Sequence, residues 1–252
     1  MKHFYKALLL IILSPLFSLA QGNFQHGVVV NLKGDTLHGF INYGEWENMP
    51  KNIYFKADAN NPPVKFSAND IKYFNVSVGY LAEYQSYKGP VTTDKTEINH
   101  LYIGRDTSFR IDTIFLKIIQ KGKNMVLFSY ADNIKTRYFI SKNLNDQPEE
   151  LIYRIYYNSA EENGRDRTVY ERTFMRQLSA IAAKLNDASL NEMIFKLDYS
   201  EPDLINVAGR INGISDKASL KKGASHHSPL KFILFTVAFL IIYFTVHLKS
   251  TF

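Results

Sequence analysis

FRIDTIFLKIIQKGKNMVLFSYADNIKTRYFIS, residues 109–141, decides the architecture. From Phe109 to Gln120, Ile114, Leu116 and Ile118 fall on one face, and Phe115, Lys117 and Ile119 on the other, which is the two-residue period of an extended chain. Lys121-Gly122-Lys123-Asn124 interrupts the run and Met125 to Tyr130 resumes it. Ala131-Asp132-Asn133 interrupts again before Thr136 to Ser141. Aromatic and β-branched runs separated by such turns predict consecutive antiparallel strands.

Upstream the same text continues. Gly27 to Leu32, Lys33-Gly34-Asp35-Thr36 and Leu37 to Tyr43 read as a hairpin, with Gly34 free to take a positive φ and Leu37, Gly39, Ile41 and Tyr43 on one face. Ile53 to Lys56, Val64 to Ser67, Ile71 to Val76 and Tyr80 to Tyr87 follow, and Lys88-Gly89-Pro90 reads as a turn. No long helical pattern separates these runs, which disfavours a parallel α/β fold. The expected class is mainly β, a sandwich or open barrel of about ten short strands over residues 21–157.

After Tyr157 the period changes. Tyr170, Phe174, Leu178, Ile181, Ala182 and Leu185 recur at helical spacing. Ser189 with Glu192 forms a capping-box pattern for a second helix through Leu197, and Ser200-Glu201-Pro202-Asp203 opens a third that Gly213 closes. Residues 158–213 are therefore expected as a short helical tail packed on the β domain, and 214–228 as a stalk.

Both ends of the chain carry membrane signals. Residues 1–20 have two lysines, an apolar run from Ala7 to Phe17 and Ser18-Leu19-Ala20 before a cut, the pattern of a secretory signal peptide. Pro229 to Leu248 is a stretch of twenty residues with an uncharged heart from Phe232 to Val246, and at helical rise it spans roughly 30 Å. A single transmembrane helix over 229–248 is expected, with 249–252 as a cytoplasmic tail and the main domain extracytoplasmic, on the periplasmic side of an inner membrane. Lys217, Lys221, Lys222 and Lys231 before the uncharged heart of the span, against Lys249 after it, pull the other way, but a cleaved signal fixes the N-terminus outside.

Gly34-Asp35-Thr36-Leu37 followed by Gly39, then Trp46, Pro50 and Ile53-Tyr54-Phe55, resembles the β-rich domain of uncharacterised Bacteroidota cell-envelope proteins. Phe174 to Leu178, Asn191 to Leu197 and Pro202 to Ile205 are similar to the helical repeat that closes such domains. In many of those proteins an outer-membrane β-barrel follows. Here an apolar stretch stands in its place. The resemblance implies an envelope protein and brings no catalytic residues with it.

The composition narrows the chemistry. With no cysteine there is no disulfide frame, thiolate nucleophile or Cys-ligated zinc. Removing Lys2 and Lys6 with the signal takes the net charge from +6 to +4. The remaining lysines are dispersed, with no nucleic-acid recognition motif, so nucleic acid is not an expected partner. His3, His26, His38, His100, His226, His227 and His247 lack metal-binding spacing, and no metal or cofactor is expected. Asp35, His38 and Ser67 make a triad only by coincidence of residue type. Glu45-Trp46-Glu47 holds the single Trp, which could stack on a ligand between two carboxylates or simply close the end of the sheet core; these three are the candidate binding residues. Asp106, Arg110 and Asp112 read as cross-strand charge pairs. The expectation is a membrane-anchored binding or assembly module of the envelope, not an enzyme, with membrane lipid and an envelope protein as partners. A tethered hydrolase or carbohydrate-active enzyme is the alternative.

Overall fold

The computed structural model describes residues 22–158, 167–185 and 187–214. The expected signal peptide (1–20), the stalk beyond Ile214, the span (229–248) and the tail (249–252) lie outside them. Among the described residues no helix is long and apolar enough to cross a membrane.

Ten of the strands form one antiparallel sheet: β1 (Phe24–Asn31), β2 (Thr36–Asn42), β3 (Asn52–Lys56), β4 (Val64–Ser67), β5 (Ile71–Ser77), β6 (Leu81–Thr92), β7 (Phe109–Lys121), β8 (Val126–Ala131), β9 (Thr136–Ser141) and β10 (Glu149–Glu150). Two meanders, β1–β4 and β5–β10, join where β1 lies against β5. β11 (Arg154–Asn158) and β12 (Arg167–Glu171) form a separate ribbon. Helices α1 (Thr173–Ala182), α2 (Ala188–Phe195) and α3 (Glu201–Ile211) follow. The mainly β class with a short helical tail is as the sequence indicates.

Local chemistry sets the turns. In the first hairpin Asn31 Oδ1 accepts from the amides of Lys33 and Asp35 at 2.9 Å, and Gly34 takes φ 97°. Between β4 and β5, Asp70 accepts from the Ser67 hydroxyl at 2.6 Å and its amide at 2.7 Å, which holds the Asp70 carboxyl below its ordinary range.

The sheet is buried on alternate faces along its length. Val29, Ile41, Phe74, Tyr84 and Phe115 share one apolar cluster on the β1–β4 side. Tyr87, Ile114, Leu116, Phe128 and Phe139 make a second on the opposite face of β6–β9. Met125, Leu127, Tyr138 and Ile140 face the three helices in a third. β7 is thus apolar on both faces in its centre, with Phe115 in one core and Ile114 and Leu116 in another. Just before β10, Gln147 Nε2 donates to Lys88 O at 2.9 Å, and within β10 Glu150 accepts from Thr92. The β6–β10 half therefore curls until its last strand meets the free side of β6.

Three local expectations are corrected. Lys88-Gly89-Pro90 is no turn: it runs inside β6, opposite Thr113, Asp112 and Ile111. Pro90 is tolerated because its missing N–H faces the side of β6 where no strand pairs, and the absent side chain of Gly89 leaves room for Tyr87, whose hydroxyl a Cβ would meet at 2.4 Å. Tyr170 belongs to β12 and is half exposed, so the helix starts at Thr173 rather than there. Asp187 caps α2 by accepting from the Leu190 amide, while Ser189 donates to Asp187 and caps nothing. Ser200 caps α3, and Gly213 follows its end at φ 68°, as the pattern predicts.

Candidate functional site

The sequence candidates come first. Trp46 lies edge-on to Tyr43 (4.9 Å between ring centres), Tyr84 (5.7 Å) and Phe74 (6.2 Å), and packs against the first apolar cluster. It is half-buried against that cluster. Glu45, at φ 48°, and Glu47 flank it in solvent. The strained Glu45 turns the chain so that Trp46 points inward. Asp35, His38 and Ser67 are not brought together: the Ser67 hydroxyl is committed to Asp70 and the Asp35 carboxylate to Asn31 at 2.8 Å. Arg110 does pair with Asp112 at 2.9 Å and across to Asp132 at 2.9 Å, but Asp106 accepts from the Ser108 amide instead.

A denser group of charges was not evident from spacing. Arg137, on β9 beside the second apolar cluster, is 0% exposed. Its Nε donates to Thr92 O at 2.7 Å, and its Nη1 to Asp132 Oδ1 at 2.9 Å and Lys135 O at 3.0 Å. Lys135 Nζ reaches the buried Asp94 at 2.8 Å. Glu150 accepts from the Thr92 amide at 3.0 Å and from the Thr92 hydroxyl. Arg154 and Arg105 converge on Glu171, Arg105 through two bonds of 2.7 Å. With the Arg110–Asp112 pair that joins through Asp132, five acids (Asp94, Asp112, Asp132, Glu150, Glu171) face five bases (Arg105, Arg110, Lys135, Arg137, Arg154), so the charge closes locally.

The electrostatics follow from these contacts. The bonds from Arg105, joined by Thr173 and the nearby Arg154 charge, outweigh burial and bring the Glu171 carboxyl down to about 2. Burial pushes Asp132 upward, but Arg110, Arg137 and the amides of Ile134 and Lys135 win and lower it to about 2. Burial lowers Lys135 against the pull of Asp94. Asp94 Oδ2, Arg137 Nη2 and Arg154 Nε lack a hydrogen-bond partner among the described residues, although Arg154 Nε lies 4.0 Å from Asp94 Oδ1.

Above this network runs a groove of about 570 Å³, walled by Pro90, Phe109, Ile111, Pro148 and Ile152, with Thr92, Glu150 and Arg154 at its floor. Phe109 and Ile111 are 59% and 64% exposed on its rim. Groove size and apolar lining suit a small number of apolar side chains. A larger hollow of about 770 Å³ beside β5 and β6 is more polar, and its Glu83 is already taken by Tyr73 Oη and Lys121 Nζ, each at 2.6 Å. Among the described residues no group of three or more His, Asp or Glu is placed to hold a metal ion.

Against known protein families, curated proteins and solved structures, the chain shows no match, so its reading rests on its own residues. Sequence reasoning missed the charge network because its members come from five separated segments. The one legible signal was Arg137 at a core position of an alternating strand.

Proposed function

We propose that this chain is a non-catalytic binding or assembly module of the bacterial cell envelope, held at a membrane by residues 229–248 with its main domain outside the cytoplasm. In the same reading the curled ten-strand sheet is an open barrel or sandwich that serves as a rigid scaffold. The observation that carries binding is the groove: exposed Phe109 and Ile111 stand over a floor whose acid is already committed. Glu150 spends both carboxylate oxygens on Thr92. A general acid or base works through a proton position turned to substrate, whereas both oxygens of this carboxylate are tied to Thr92 in a structural contact. What the groove offers is apolar burial beside fixed dipoles, which suits a partner presenting two or three apolar side chains. The N-terminal signal pattern, the apolar stretch near the C-terminus and the resemblance to envelope domains support the location.

Two measurements test this. Cells making the full chain, and a version ending at Ser228, are fractionated and treated with protease after the outer membrane is permeabilised. A membrane-bound, protease-accessible full chain and a soluble periplasmic short one are expected; a protected cytoplasmic body overturns the location. Binding is tested with an array of peptides carrying alternating apolar residues, probed with purified full chain. Ile111→Asp should remove the signal, and equal capture by Ile111→Asp overturns the groove as the site.

A further inference from the structure

The outer half of β7 has a paired side and an unpaired one. From Phe109 to Leu116 it pairs with β6 alone among the described residues, because the ladder with β8 begins at Lys117. The register fixes which backbone groups point where. Thr93 N donates to Ser108 O at 3.1 Å, continuing the β6–β7 ladder by one pair. In an antiparallel ladder alternate residues bond to the same neighbour. Ser108, Arg110 and Asp112 therefore turn their N–H and C=O toward β6, and Phe109, Ile111 and Thr113 turn theirs away. Side-chain bonds agree: the Thr113 amide is held by Asp112 Oδ1 at 2.8 Å, and Thr92, opposite Phe109, sends its outward groups to Glu150 and Arg137.

The two edges of this ribbon are treated differently. On the β6 side Gln147 serves Lys88 O, Pro90 has no N–H and its carbonyl accepts from Tyr87 Oη at 3.0 Å, and Thr92 is served twice. That edge is closed. On the β7 side Phe109 and Ile111 present outward backbone groups beside the two highly exposed apolar side chains. Natural sheets usually protect such an edge with a charge, a proline or a covering element. Here the charges alternate as Arg110 and Asp112, one of each sign on either side of Ile111.

That order is self-complementary. We propose that the Phe109–Thr113 edge pairs with the same edge of a second copy of this chain, antiparallel about a two-fold axis at Ile111. Ile111 then faces Ile111 of the other copy, with mutual N–H to C=O bonds, and Phe109 faces Thr113, whose amide exchanges its bond to Asp112 Oδ1 for the other copy's Phe109 carbonyl. Each Arg110 lies opposite the other copy's Asp112 in the closer, non-hydrogen-bonded kind of pair, where opposite charges attract. The existing Arg110–Asp112 contact of 2.9 Å within the strand shows both groups lie on one face, as the exchange requires. A two-fold axis of this kind keeps like faces together, so the β6–β7 ribbons of the two copies form one four-stranded platform carrying both apolar rims. The inference does not depend on where the protein resides, and its test does not read partner capture.

The chain lacks cysteine, so one substitution reports the pairing. In an Ile111→Cys full chain in detergent, the two thiols sit across a pair with Cα atoms about 5.5 Å apart, within disulfide reach. Mild oxidation should give a linked dimer at least tenfold faster than Tyr54→Cys, an exposed control on β3. Adding Arg110→Asp to Ile111→Cys sets acids against acids, and Asp112→Arg sets bases against bases. Each should slow linking about tenfold alone, and mixing the two variants should restore it. Linking of Ile111→Cys no faster than Tyr54→Cys overturns the dimer. Rapid linking that neither charge reversal slows overturns the register and the proposal with it. If a charge variant fails to fold, shown by a lost thermal transition, the Ile111→Cys comparison alone decides.

Discussion

Replacing Arg137 by Met tests whether the buried charge network holds the β6–β10 curl together. The Met side chain retains most of the aliphatic stem and removes the guanidinium. Three hydrogen bonds are lost, to Thr92 O, Asp132 Oδ1 and Lys135 O. Removing one partner of a buried ion pair costs about 3–5 kcal/mol when the other charge is stranded. Asp132 is not stranded, since Arg110 Nη2 remains at 2.9 Å and the Ile134 and Lys135 amides at 2.9 and 3.1 Å. The expected loss is therefore at the low end, about 3 kcal/mol, or a fall in Tm of roughly 6–12 °C for a domain of this size. Urea unfolding followed by Trp46 emission measures it. Arg137→Lys keeps the charge without the fork and should lose about 2 kcal/mol, because a single ammonium cannot serve Thr92 and Asp132 with the same geometry. The double variant with Asp132→Asn should be less destabilised than the sum of the singles by at least about 1 kcal/mol. A loss for Arg137→Met under about 1 kcal/mol with an unchanged m-value, or a gain, refutes the reasoning and makes the network replaceable by apolar packing.

Acid should weaken the fold. Glu171 and Asp132 are both depressed to about 2, so their contribution is complete above the ordinary carboxylate range and is lost as pH falls from about 5 toward 2. The urea midpoint should be flat from pH 7 to 5 and drop below that, and Glu171→Gln with Asp132→Asn should flatten the drop; an unchanged slope counts against the assigned bonds. Asn212→Ala should cost about 2–4 kcal/mol and speed amide exchange at Asn124 and Met125, whose N–H groups both donate to Asn212 Oδ1 (3.0 and 2.9 Å) while its Nδ2 donates to Met125 O. Gly39→Ala should destabilise by at least about 2 kcal/mol in the same melt, because its Cβ would lie 2.1 Å from Lys56 O on the neighbouring strand. Ser200→Ala should cost about 1 kcal/mol through the lost α3 cap, visible as a lower helical signal on heating.

The strands were legible wherever period and turn chemistry agreed. Phe109 to Ser141 resolves into β7, β8 and β9 within a residue or so of the read boundaries, because one-sided burial and Gly or Asp turns act locally. The Gly34 hairpin and the Pro202 and Gly213 helix limits belong to the same class. Lys88-Gly89-Pro90 shows the opposite case: its turn chemistry is real, but a strand with one unpaired side tolerates a proline that a central strand would not. Tyr170 was read as helical because a five-residue strand supplies too few residues to show a period of its own. Of the candidate site, Trp46 packs half-buried against the first apolar cluster. Of the Asp94, Arg137, Glu150 and Glu171 network only Arg137 stands out, by its core position on an alternating strand; the others alone read as ordinary solvated charges.

By itself the sequence determined the mainly β class, the run of antiparallel strands, the helical tail and its caps, and the absence of thiol chemistry. All of these depend on interactions within a few residues, so spacing and residue type suffice. The tertiary structure alone decided that β1 joins β5, that β6–β10 curls onto the free side of β6, and that charges from five segments meet beneath an apolar groove. It also decided which edge of the β6–β7 ribbon is closed and which is open. Those outcomes rest on contacts between residues tens of positions apart, such as Thr92 with Glu150 and Met125 with Asn212, whose pairing is set by which buried groups find partners once the sheet has curled.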